Sequence, residues 1–305
     1  MQIRRRLVEP DGLRAEIRPH DGADWQAVDS ATALGYVSPF TAAFEADHAR
    51  NAGAVDGGVV LPFQPLSFRD FMLFEQHNID ASRGYARRFL PTAARLASAV
   101  EFVTRRPPRA FRPAPLWYRQ PIYYMSNAAT FAPSGAAIAF PAYSQALDYE
   151  LELGFVLKQS LRDASPEAAE RAIGAFVAIC DFSARDVQIA EMRSGFGPQK
   201  SKHFAASMSQ TAVTADEVLH RWRSLAATVT INGEVVARPV AESARYRLGE
   251  VLAHASAGET LYPGELFGTG TFVGGSGMEI GRWLRKGDRL ELAIEGVGRI
   301  EHAIR

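Results

Sequence analysis

Cysteine is almost missing from this chain: Cys180 is the only one in 305 residues. No disulfide can close within the chain, and a reducing compartment is expected. At the end of an apolar run, Cys180 reads as a small core residue rather than a nucleophile. No apolar stretch reaches the roughly 18–20 residues of a membrane-spanning helix. The opening Met1-Gln2-Ile3-Arg4-Arg5-Arg6 lacks the apolar core of a secretory signal, so a cytoplasmic location is expected. Charge of one sign is not in excess either. Lys+Arg and Asp+Glu both number 34, which leaves no electrostatic footprint for phosphate backbones, and neither nucleic acid nor membrane is expected as a partner. Histidine and cysteine never fall at zinc spacing. Gly274-Gly275-x-Gly277 has no βαβ unit around it, so no nucleotide cofactor is expected. There is no internal repeat and no low-complexity tract.

What is present divides into two units. Residues 1–62 read as a small N-terminal β-rich domain, with Leu13-Arg14-Ala15-Glu16-Ile17 and Val59-Val60-Leu61 as short strands. A turn-rich stretch, 51–58, and then Pro62 and Pro65 mark a junction to residues 63–305. Ser67-Phe68-Arg69-Asp70 has the form of a capping box and predicts a helix to about Ser82, before Gly84. On such a helix Asp70 and His77, two turns apart, share a face. A proline-rich stretch, 107–121, leads into Ile122-Tyr123-Tyr124, too short to assign. Residues 149–157 read as a strand with Glu150 and Glu152 on one face. Ser165-Pro166-Glu167 starts a helix, and an apolar strand over 175–180 ends at Asp181. Ser183-Ala184-Arg185-Asp186 then predicts a helix closing near Gly195, with Arg185 and Gln188 on one side. Residues 226–231, Asn232-Gly233 and 234–237 signal a hairpin. The glycines of 268–271 and 274–277 predict loops where backbone passes close to something, and 289–294 and 299–304 predict closing strands. Many strands with few short helices argue an α+β, β-rich fold.

Chemistry concentrates in four carboxylates, Asp70, Glu150, Glu152 and Asp181, each at the edge of an apolar stretch. Four converging acids repel one another unless a cation joins them, and all-oxygen ligation selects Mg²⁺, Ca²⁺ or Mn²⁺ over zinc. Each also has a plainer reading: a solvent-facing strand side for Glu150/Glu152, a turn or cap for Asp181, the capping box itself for Asp70. His77 fits a solvated helix face as well as a water-activating base, and Lys200 and Lys202 fit a solvated loop.

Taken in order, these segments resemble the fumarylacetoacetate hydrolase family over about residues 60–305. Asp70-Phe71-x-x-x-x-Gln76-His77 is similar to the family's Asp-Phe…Gln-His segment, and Glu150-Leu151-Glu152 to its Glu-x-Glu metal strand. Asp181-Phe182-Ser183-Ala184-Arg185-Asp186-Val187-Gln188 is similar to its most recognisable signature. The resemblance implies a fumarylacetoacetase-like catalytic domain, a mixed β-roll, over 63–305. It also implies metal ligation by Asp70, Glu150, Glu152 and Asp181, with His77 as base and Glu279 orienting it. Lys202 and Gln188 would be catalytic, and Tyr124, Arg185, Gln188, Lys202 and Thr271 would bind substrate. Met72 stands where fumarylacetoacetase has a carboxylate-binding tyrosine. Ala86 falls at an expected arginine, with Arg87 one step off, and Ser201 replaces a glycine before Lys202. Chemistry-bearing positions are kept while part of the acid-recognising wall is changed. The implied activity is metal-dependent hydrolysis of a carbon–carbon bond in a 1,3-diketone or diketo-acid, by a homodimer. The alternative is decarboxylation or tautomerisation of an oxaloacetate-like acid. A nuclease, suggested by Asp148-x-Glu150 alone, conflicts with the zero net charge, and a non-catalytic relative conflicts with the full acid set plus His77.

Overall fold

The most continuous apolar runs of the sequence form the centre of the structure, a computed structural model that describes residues 1–8, 12–53 and 56–305. The elements that position the site are β1 (Gln2–Val8), β2 (Phe68–Phe71), α1 (Glu75–Phe89), β3 (Tyr123–Ser126), β4 (Glu150–Leu157), β5 (Ile173–Asp181), α2 (Arg185–Arg193), β6 (Ala212–Thr214), β7 (Leu266–Ser276) and α3 (Gly277–Ile280). The largest sheet has twelve strands, and its main path runs Gln26–Val28, Gly12–Arg18, β1, β6, β5, β4, β7, β2, β3. β4 is antiparallel to both β5 and β7, whereas β7 runs parallel to β2. A four-stranded sheet, which includes Ala227–Ile231 and Arg289–Ile294, shares one core with β4 and β5 through Val229, Leu292, Phe155 and Phe176. Residues 1–62 continue the large sheet: β1 pairs with β6, Gln2 opposite Val213, and Ile3 packs in one cluster with Val156 and Val177. Ala54 and Val55, within the expected 51–58 turn, lie outside the described residues. Among the described residues no helix is long and apolar enough to cross a membrane.

Several local expectations are corrected. Residues 67–70 do not open a helix. Phe68–Phe71 is a strand whose backbone is satisfied by pairing with β7, and the Ser67 hydroxyl donates instead to Glu265 Oε2 at 2.9 Å. The helix begins at Glu75, so Asp70 and His77 come from a strand and a helix rather than from one helix face. Gly84 does not stop that helix, which continues to Phe89. A Cβ on Gly84 would stand 1.8 Å from the carbonyl oxygen of Met278, so the glycine is there for backbone-to-backbone contact between α1 and α3. Ser183 caps nothing: Ser183–Ala184 pairs with Leu147–Asp148, and its hydroxyl lies 3.4 Å from Glu150 Oε2. The glycines of 268–276 lie in the single irregular strand β7 and not in loops. All eight residues of β4 are buried, which removes the solvent-facing reading of Glu150 and Glu152. The Asn232-Gly233 hairpin forms as read, both turn residues having positive φ.

One buried polar group is expected to make the fold pH-sensitive. His302 sits with Nδ1 2.6 Å from the Ala136 carbonyl, so that nitrogen donates, and Nε2 2.8 Å from Ser207 Oγ. Burial pushes its pKa down to about 4. Between the unfolded value of about 6.5 and 4, the unfolded chain takes a proton that the folded one refuses. The contribution of His302 to stability is complete above that window and should fall by about 3 kcal/mol as pH drops through it. His302→Gln, which cannot titrate, should flatten the slope in urea unfolding measured from pH 7 to 4. An unchanged slope would rule out this residue as the cause.

Candidate metal centre and acid–base pair

Each functional side chain is delivered by an element whose path is already fixed by the sheet. β2 lies beside β7 with Asp70 opposite Gly268, and β7 lies beside β4 with Thr271 opposite Glu152. β5 runs antiparallel to β4 and ends at Asp181, at the same end of the sheet as Glu150 and Glu152. The result is a buried group in which Asp70, Glu152 and Asp181 each offer one carboxylate oxygen, all within 4.8 Å of one another. Gly268 leaves the room: a Cβ there would stand 2.7 Å from both Asp70 Oδ1 and Glu152 Oε2.

The fourth expected ligand is placed differently. Glu150 is held by cations: Arg185 Nη2 donates to Oε1 at 2.6 Å, Lys202 Nζ pairs with Oε2, and His77 Nε2 lies 3.5 Å from Oε1. Its pKa is accordingly well below the usual carboxylate range; burial works against the charge, but Arg185 and Lys202 outweigh it. The three grouped acids behave in the opposite way. Burial and the neighbouring Asp181 push Asp70 up to about 7. Burial, with Asp70 and Asp181, lifts Glu152 well above its ordinary value. Burial likewise raises Asp181, against the pull of Lys202.

Asp70 Oδ1, Glu152 Oε2 and Asp181 Oδ1 are buried without a hydrogen-bond partner among the described residues. Unpaired buried carboxylate oxygens are costly, and a hard cation satisfies them. Charge gives the same answer. Among the described residues, the ion-pair partners of Asp70, Asp148, Glu150, Glu152, Asp181 and Glu279 are Arg185, Lys202 and His77, which leaves a negative excess. The residues present therefore fit a divalent cation held by Asp70, Glu152 and Asp181, with Glu150 facing the cationic side.

His77 lies in the first turn of α1 and is buried there. Its Nδ1 lies 3.1 Å from Glu279 Oε2, off the line of a hydrogen bond. Glu279 is fixed by a capping box at the start of α3: Ser276 donates to Oε2 from both backbone and hydroxyl at 3.0 Å, and Gly274 N donates to Oε1 at 3.0 Å. Burial disfavours a charged His77, yet Glu279 and Glu150 overcome it and push its pKa up to about 9.

Most of the other expected residues engage the acids or their partners. Tyr124 donates to Asp181 Oδ2 at 2.6 Å, and Lys202 Nζ reaches the same oxygen at 2.5 Å. Thr271 Oγ1 is 3.4 Å from Glu152 Oε1, and Gln188 accepts from Arg185 Nη1 at 2.9 Å. Met72 is half-buried with its sulfur 3.3 Å from Asn78 Nδ2. Arg87 donates to the Glu279 carbonyl at 3.0 Å, and Ala86 is buried. Sequence reasoning missed Asp148 as part of the site. It is fully buried, and its Oδ2 accepts from Arg185 Nε at 2.8 Å and from Met278 N at 3.2 Å. The available signal was an acid directly before Tyr149 and the Glu-x-Glu strand.

The chain is similar in sequence and fold to known proteins. Over 179 residues, 58% of this chain and 78% of the relative, it is 30% identical to the mitochondrial oxaloacetate tautomerase FAHD1 of Mus musculus. Its fold matches a fumarylacetoacetate hydrolase from the psychrophilic Exiguobacterium antarcticum, with a TM-score of 0.67 and 19% identity over 100% of this chain and 99% of that one. It also matches the fumarylpyruvate hydrolase from Pseudomonas aeruginosa in complex with Mn²⁺ and pyruvate, with a TM-score of 0.59 and 20% identity over 79% and 90% of the two chains. The sequence model of the fumarylacetoacetate (FAA) hydrolase C-terminal family matches residues 93–305, a segment that contains Glu152, Asp181, Lys202 and Glu279 but begins after Asp70 and His77. With well over half of its length inside that match, the chain belongs to the fumarylacetoacetate hydrolase family.

Proposed function

We propose that this chain is a divalent-metal-dependent enzyme of 1,3-dicarbonyl chemistry and, more finely, a hydrolase cleaving a carbon–carbon bond in a diketone or diketo-acid of the fumarylacetoacetate or acylpyruvate type. The carrying observation is the convergence of Asp70, Glu152 and Asp181 beside the His77–Glu279 pair. A divalent cation in such a cradle supplies polarisation of carbonyl oxygens and neutralises enolate charge. His77 removes a proton from water, and the water oxygen adds to the carbonyl carbon. Glu279 orients the imidazole and stabilises the imidazolium. Lys202 Nζ and the Gln188 amide donate to the tetrahedral oxyanion, each such donor being worth roughly 3–4 kcal/mol. The carbon–carbon bond then breaks, its electron pair leaves as an enolate, and the proton taken from water is delivered from His77 to the enolate carbon, which completes the ketone and leaves His77 neutral again. A base must be neutral to act. The excess of acids holds His77 charged, and neutralising that excess brings its pKa down toward the working range.

A second reading is keto–enol tautomerisation of an oxaloacetate-like acid. One observation favours it: mammalian relatives at 27–30% identity are named oxaloacetate tautomerases, and a single imidazole that takes and returns a proton would serve that reaction. The test is a product assay with Mg²⁺ or Mn²⁺, and again with chelator. Acylpyruvates are followed by loss of enol absorbance and release of a carboxylic acid, and oxaloacetate by interconversion of its keto and enol forms. Metal-dependent acid release is expected. Turnover of oxaloacetate alone moves the assignment to the second reading, and no metal-dependent turnover of either overturns both.

A further inference from the structure

Lys202 is buried, but the chain that carries it comes in from the surface, where Phe196 is 84% exposed. Something must hold that approach. Glu191, in the last turn of α2, accepts with Oε2 from Gln199 N at 2.7 Å, Ser201 N at 3.1 Å and Ser201 Oγ at 2.6 Å, and with Oε1 from Lys200 N at 2.9 Å. One carboxylate thus gathers three consecutive backbone N–H groups and the hydroxyl of the residue before Lys202. The Ser201 carbonyl in turn accepts from Ala184 N at 2.8 Å, and the Lys200 carbonyl accepts from Tyr143 Oη at 2.6 Å. Ser201 stands where the family resemblance places a glycine, so this chain adds a hydroxyl to the clasp.

We infer that Glu191 is a positioning residue, which with Ser201 clamps the 199–201 backbone and so sets the Lys202 ammonium against Glu150 and Asp181. The spacing of Arg185, Gln188 and Glu191, three residues apart in turn, puts all three on one side of α2. That one helix therefore fixes the guanidinium on Glu150, the Gln188 amide and, through the clasp, Lys202 relative to one another. The inference uses the proposed reaction only for what Lys202 does; the clasp itself is independent of it.

The test compares Glu191→Ala, Glu191→Gln and Ser201→Gly with Lys202→Ala and the Glu191→Ala/Lys202→Ala double variant. Displacing a positioned group by about 1 Å costs about 10²-fold in rate. Glu191→Ala should therefore lower kcat by about 10²-fold with little change in KM. Glu191→Gln, which turns an NH₂ toward one of the N–H groups, should lose about tenfold, and Ser201→Gly less. The double variant should be no slower than Lys202→Ala alone, because the effect runs through that lysine. A merely structural role would instead multiply the two losses, and that outcome overturns the inference. Amide hydrogen exchange at 199–201 provides a readout that needs no turnover. Faster exchange in Glu191→Ala is expected whatever the substrate is, and unchanged protection overturns the clasp even if the enzyme is active. Loss of the proposed reaction in the wild-type protein, with faster exchange in the variant, removes the functional reading and leaves the clasp standing.

Discussion

Replacing His77 by alanine should lower kcat by about 10²–10⁴-fold, the range a positioned general base contributes, while leaving Mg²⁺ or Mn²⁺ binding intact. The separation of the two effects follows from geometry. His77 touches Glu150 and Glu279, whereas the grouped oxygens belong to Asp70, Glu152 and Asp181. Removing the imidazole also removes a positive charge, so the acids attract a cation at least as strongly as before. Steady-state kinetics beside titration calorimetry separates the outcomes. A kcat within tenfold of wild type excludes His77 as the base, and a parallel loss of metal binding would move it into the ligand set.

The second large effect is expected from Asp181→Asn, which keeps the side chain's shape and removes its charge. Asp181 Oδ2 is engaged by Tyr124 and Lys202, and Oδ1 has no partner among the described residues. Divalent affinity should drop by at least about 100-fold, the upper end of what even an indirect perturbation of a metal site costs. The same change should appear in thermal unfolding. At a metal concentration about 100 times Kd, binding stabilises a fold by about 2.7 kcal/mol, which for a chain of this size raises the midpoint by roughly 5 °C. The wild-type protein should show that rise and Asp181→Asn should not. Equal rises in both proteins would exclude Asp181 from the site.

Much of the buried acid group was legible because acids in apolar strands stand out. Glu150, Glu152 and Asp181 interrupt runs that otherwise contain nothing polar, and their strand assignments needed only period two and continuity. Division of labour among them was not legible. Glu150 is paired with Arg185 and Lys202, 35 and 52 residues later in the chain, rather than grouped with the other three acids, and no local pattern encodes that pairing. Residues 67–70 show the complementary failure. A serine three places before an aspartate is a sound helix-start signal, but a strand nearly two hundred residues downstream supplies the partner that overrides it. Gly84 was read as punctuation when its role is proximity, because a glycine that breaks a helix and one that lets two backbones touch are the same letter. Asp148 was visible but, flanking a clearer motif, it was not recognised as the residue holding Arg185 in place.

The parallel pairing of β2 with β7 has a consequence for how the protein is made. Asp70 emerges from the ribosome early, yet its neighbour Gly268 follows roughly two hundred residues later. Until that late strand is released and docks, the carboxylate of Asp70 has nowhere to converge with Glu152 and Asp181. On the proposed reading, cation capture belongs to the chain that has already docked this strand, and a C-terminally clipped chain is expected to carry the acids without the affinity.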